Sequence, residues 1–116
     1  MLRENKVDCT LTVDQRTYTG LLHLIEHEYD DLMTFWHGVF ETACTSTEFN
    51  DLGMTLVSGS LAANIRLDDG REGAARIPKI SRGFGAKGEC VLFAVCGIGE
   101  LRDPTASLEG FRIEVG

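Results

Sequence analysis

The strongest periodic signal in this chain lies between Gly20 and Ala43, and whatever that stretch becomes decides the fold. Stepping at about 100° per residue places Leu21, Leu22, Leu24, Ile25, Tyr29, Leu32, Met33, Phe35, Trp36, Val39, Phe40 and Ala43 within one half of a helical wheel. His23, His27, Asp30, Thr34, His37 and Glu41 fall opposite. Thr19 stands where an N-cap oxygen would accept from the first free amides, and Gly38 is the weak point of the run. The spacing predicts one long amphipathic helix over residues 20–43. The rival is a hairpin turning at Tyr29-Asp30-Asp31. Strand alternation fails across Leu21-Leu22 and Phe35-Trp36, which favours the helix.

Around this stretch the period is two. Val7, Cys9, Leu11 and Val13 alternate with Asp8, Thr10 and Thr12, the pattern of a half-buried strand. Residues 14–19 read as a turn and 44–53 as a loop. From Met54 to Leu67 the apolar side chains again share one face, with Gly59 marking a bend. Asp68-Asp69-Gly70 supplies a hairpin turn, because glycine accepts positive φ. A weak return strand, 71–77, ends at Pro78 and suits a sheet edge. Residues 81–88 form a glycine-rich loop, 90–96 an apolar strand, 97–109 a loop, and 111–115 a last half-buried strand. The expected fold class is therefore α+β. One long amphipathic helix packs on a curved, mostly antiparallel sheet of about five strands, in the order β-α-β-β-β-β. That order is similar to those of cystatin-like and hotdog-like proteins among other small folds, and it implies nothing about function.

At 116 residues the chain suits a single domain spanning 1–116. Its net charge of −7 argues against direct binding of nucleic acid, whose backbone it would repel. No run of 18 apolar residues is present, so no transmembrane helix is expected. No signal-peptide pattern follows Arg3 or Lys6, and the expected location is cytoplasmic. There Cys9, Cys44, Cys90 and Cys96 are expected as free thiols.

Four groups of residues carry possible chemistry. His23-Leu24-Ile25-Glu26-His27 matches the H-x-x-E-H pattern of the inverted zincins. Two histidines four apart on a helix can share one zinc ion, with the glutamate as general base. His23, His27 and Asp30 on the same helical face form a second candidate metal patch. Glu28 falls inside the apolar arc; it is expected to snorkel out at the arc's boundary, and if packed inside it would be paired, for example with an arginine from the sheet, or have a raised pKa. Gly83-Phe84-Gly85-Ala86-Lys87-Gly88 matches G-x-G-x-x-G, but it opens a strand where a dinucleotide fold needs a helix. The same region holds Arg76, Lys79, Arg82 and Lys87 and no acid, a +4 segment that leaves −11 on the rest. With Gly83 and Gly85 those cations form a candidate anion site.

Strand 90–96 is apolar on both faces, Val91, Phe93 and Val95 against Cys90, Leu92, Ala94 and Cys96. One helix covers only one face of a sheet, so strong curl, a loop, or a second copy in a homodimer must cover the other. The leading expectation is a small acidic module that acts without catalysis by occupying a protein partner's surface, as inhibitor, immunity or adaptor proteins do. Its contact residues would be Glu26, Asp30 and Asp31 on the helix, with Arg82 and Lys87 on the basic loop. The alternatives are a small-ligand or anion-binding domain without a cofactor, or a zinc-dependent hydrolase built on His23, Glu26 and His27.

Overall fold

The computed structural model describes residues 2–29, 33–85 and 88–102. They form six strands and one short helix: β1 Leu2–Val13, β2 Arg16–Tyr29, β3 Met33–Thr42, α1 Ser46–Leu56, β4 Leu61–Leu67, β5 Glu72–Gly85 and β6 Gly88–Arg102. All pairings are antiparallel, and the strands close into a barrel in the order β1-β2-β3-β6-β5-β4. Among the described residues no helix is long and apolar enough to cross a membrane.

The expected long helix is absent; residues 20–43 supply most of β2 and all of β3, so the α+β reading is overturned. The physical reason is that both faces of this hairpin carry apolar side chains. Leu22 and Leu24 on β2, and Trp36 and Phe40 on β3, point into the barrel and are fully buried. Leu21 and Ile25 lie half-buried on the outside, and Phe35 and Val39 are exposed there. Alternation therefore breaks without any helix being present. The cystatin-like and hotdog-like analogy falls with the helix.

Among the described residues the helix lies where a loop, 44–53, and the start of the strand from Met54 were expected. Thr45 is its N-cap: the Thr45 side chain accepts from the Glu48 amide, and the Glu48 carboxylate accepts from the Thr45 amide. This capping box satisfies two amides that the helix itself leaves unpaired. Leu52 joins the core, Arg16 pairs with Asp51 at 3.2 Å, and the Arg82 guanidinium sits over the Phe49 ring at 4.8 Å. These contacts hold α1 over one end of the barrel.

Asp14 and Gln15 both take positive φ, 47° and 69°, the geometry of a tight hairpin turn between β1 and β2. β5 is longer than expected and lies between β4 and β6 rather than at an edge. Its register shifts between Arg76 and Lys79. Pro78 falls in that irregularity, where the missing amide breaks no regular ladder. Of the expected loop 81–88, residues 81–85 end β5 and Gly88 begins β6; of the expected loop 97–109, residues 97–102 continue β6 and the rest lie outside the described residues. The expected last strand, 111–115, lies outside the described residues.

The interior is built from one parity of each strand. Leu11, Leu22, Phe40, Ile77, Phe93 and Val95 are completely buried. Phe93 meets Tyr18 edge-on at 5.6 Å and Phe40 at 5.8 Å. Closing six strands around this core needs strong coiling, and glycine permits it between β2 and β3. A Cβ on Gly20 would stand 2.0 Å from the Glu41 carbonyl oxygen, and one on Gly38 2.2 Å from that of His23. Gly38→Ala is expected to lower the unfolding free energy by about 3 kcal/mol, because the clash is with backbone. Gly53→Ala, inside α1 and facing open space, is expected to raise it by about 0.5–1 kcal/mol. Urea denaturation checks both, and a neutral Gly38→Ala would refute the close approach of the strands.

Candidate functional site

β2 separates the residues of the H-x-x-E-H pattern. Glu26 points inward, 8% exposed, and its Oε1 accepts from Arg71 Nη1 at 2.5 Å. His23 and His27 point outward. Residues four apart on a strand are about 13 Å apart, too far for one metal ion to hold both. The pattern thus loses the helix it needs, and His23 instead faces Glu41, with Nε2 3.7 Å from Oε1. Among the described residues, no group of three His, Cys, Asp or Glu stands ready to hold a metal ion.

The buried carboxylate is Glu26 and not Glu28. Glu28 is partly exposed and pairs with Arg3 of β1 at 3.3 Å. Arg71 holds Glu26 at the barrel end away from α1, and Asp69 braces Arg71 through its Nε at 3.0 Å. Trp36, the register partner of Glu26, lies directly against the Gly97 backbone, and its Nε1 is buried with no hydrogen-bond partner among the described residues.

The residues expected to meet a partner do not converge. Glu26 is inside the barrel, and Arg82 lies over α1. Asp30, Asp31 and Lys87 fall outside the described residues. The anion candidates also divide. Arg76 and Lys79 stand opposite Cys96 and Ala94 on the outer face, whereas Arg82 stands opposite the buried Val91. Gly83 and Gly85 belong to β5 rather than to a loop. Barrel closure supplies the cover that strand 90–96 required: Val91, Phe93 and Val95 are inside. Outside, Leu92 and Ala94 are half-buried and Cys96 is exposed.

The structure instead brings four carboxylates to one groove of about 1050 Å³ on the outside of the barrel. Asp8 comes from β1, Glu41 from β3, Glu89 from β6, and Asp68 from the turn after β4. Thr10, Thr19 and Leu21 line it between them. The Asp68 amide donates to the Asp8 carbonyl at 2.9 Å, which fixes the turn against β1. Arg66 is the one basic residue among the described lining residues, and its Nε already donates to Glu72 at 2.7 Å. The groove is therefore a region of negative potential.

None of these four acids stood out in sequence. Asp8 lay on the polar side of a clean alternation, but its neighbours Glu41 and Glu89 arrive through long-range register, which no local pattern carries. Comparison with known protein families, with curated proteins and with solved structures found no match for this chain.

Cys9, at the floor of the groove, is a thiol and not a thiolate. Burial first, and then the charges of Asp8 and Asp68, push its pKa up from 9.0 to about 12. Because the folded state holds the proton more tightly, this contribution to stability is complete below pH 9 and is lost as pH rises towards 12. Urea midpoints measured from pH 8 to 11 are expected to fall more steeply for the native chain than for Cys9→Ala. Equal slopes would show that Cys9 is not held protonated by the fold.

Proposed function

We propose that this protein is a binding module that receives a cationic segment of a protein partner in the acidic groove. The observation that carries this reading is the convergence of Asp8, Glu41, Asp68 and Glu89 on one groove whose only described base is already paired. The carboxylates come from four elements of one hydrogen-bonded barrel, so a cationic side chain meets them with little further ordering of the backbone. The net charge of −7 supports a protein rather than a nucleic acid as the partner. Cys9, Cys44 and Cys96 are free thiols, which supports a reducing compartment, and the reading places the protein in the cytoplasm.

The test is fluorescence anisotropy with two labelled peptides of equal length, one rich in Lys and Arg and one rich in Glu. The cationic peptide is expected to bind, and its affinity to weaken as salt screens the groove. Replacing Asp8→Asn, Glu41→Gln and Asp68→Asn together is expected to weaken it about tenfold or more. Neutralising Glu4, exposed on β1 and outside the groove, leaves binding unchanged. Equal affinity in the triple variant, or preference for the acidic peptide, overturns the reading.

A further inference from the structure

On the outer face of the β2–β3 hairpin, away from the groove, His27 and His37 bring their Nε2 atoms within 3.0 Å of each other. Register places His27 opposite Phe35 and His37 opposite Ile25, so the two histidines are diagonal neighbours on one face. Both rings are partly buried. His27 stacks on Phe35 at 4.4 Å with 9° between planes, and on His37 at 5.1 Å with 23°. That stacking holds the imidazoles in place from one side and leaves the two nitrogens converging.

We propose that His27 and His37 form a two-nitrogen chelate for a divalent transition-metal ion of the Ni²⁺ or Cu²⁺ class. The nitrogen separation decides the class. With metal–nitrogen bonds of about 2.0–2.1 Å, a span of 3.0 Å corresponds to an N–metal–N angle of roughly 91–97°. That is the cis angle of square-planar and octahedral ions; a tetrahedral ion such as Zn²⁺ wants a wider span. Each imidazole binds through Nε2 as the neutral ring with its proton on Nδ1, so the proton shared between the two Nε2 atoms moves, by exchange through solvent, to Nδ1 of the ring that carried it. The site differs from the His23, His27 and Asp30 patch expected from a helix: the strand removes His23, and the register supplies His37.

The experiment titrates chelator-treated, tag-free protein with Ni²⁺ alone by calorimetry, and records the electron paramagnetic resonance spectrum with one equivalent of Cu²⁺. The expected result is one ion per chain, with splitting from two equivalent nitrogens in the Cu²⁺ spectrum. His27→Gln and His37→Gln each weaken Ni²⁺ binding about tenfold or more, and the double variant is little worse than either, as loss of a chelate requires. His23→Gln has no effect. Bound Ni²⁺ also raises the melting temperature of the native chain, because it ties β2 to β3, and leaves that of the double variant unchanged. Affinity that is the same in all variants, or a Cu²⁺ spectrum showing a single nitrogen, overturns the proposal. In that case the pair shares a proton only. The spectrum is read on the native chain, so the outcome stands even if a variant folds poorly.

Discussion

The whole molecule depends on one short ladder. Cys9–Val13 of β1 pair with Ala63–Leu67 of β4, and these five register pairs turn a six-stranded sheet into a barrel. Without them β1 and β4 would be open edges with unpaired amides, and the apolar interior would face water. The seam is sealed from within by Cys9, Leu11, Val13, Ala63, Ile65 and Leu67, all buried. Hydrogen bonding and burial therefore act on the same residues. Closure elsewhere follows from it: β2 and β3 must coil tightly enough for Gly20 and Gly38 to sit against neighbouring backbone carbonyls.

Closure also sorts the chemistry. A closed barrel has one inside and one outside, so the parity of a residue on its strand fixes what it can do. Glu26 has inward parity and is paired with Arg71, where breaking the pair would leave a buried charge uncompensated. It holds the barrel end together and is not available to a ligand. His27, one residue later, has outward parity and meets His37. Asp8 and Glu41 share the outward parity and reach the groove.

Local pattern made several parts of this legible and concealed others. The strand at 7–13 was visible because polar and apolar side chains alternate without exception, and its true extent, 2–13, adds only exposed residues before it. The strand of 90–96 was visible as an apolar run, and the Asp68-Asp69-Gly70 turn from its glycine, which takes φ of 96°. The hairpin of 20–43 was read as a helix because its outer face carries Leu21, Ile25, Phe35 and Val39. A half-covered outer surface destroys the period-two signal that the inner surface would otherwise give. The helix at 46–56 was missed although Thr45-Ser46-Thr47-Glu48 spells a capping box, since its apolar content, Phe49, Leu52 and Leu56, is too sparse to show a stripe. The groove and the histidine pair were not legible at all, because both are made by register between strands distant in sequence.

The division of charge seen in sequence survives in the fold with a different meaning. The cations Arg76, Lys79 and Arg82 lie on β5, which pairs with both β4 and β6 at Arg76 and with β6 at Lys79 and Arg82, and not on a flexible loop. They are therefore fixed relative to the four carboxylates of the groove. A cationic segment approaching the barrel is attracted at one side and repelled at another, so the field selects the orientation before contact as well as the rate. Arg82 contributes least to that field on the β5 side, because its guanidinium is turned onto Phe49 and anchors α1. Arg76 and Lys79, exposed on the outer face, supply the repulsive side. A partner whose basic residues are spaced to match Asp8, Asp68 and Glu41 while keeping clear of Arg76 and Lys79 satisfies both constraints. A uniformly basic surface does not. Under the proposed function, this arrangement of charge favours a narrow cationic segment over a broad cationic face.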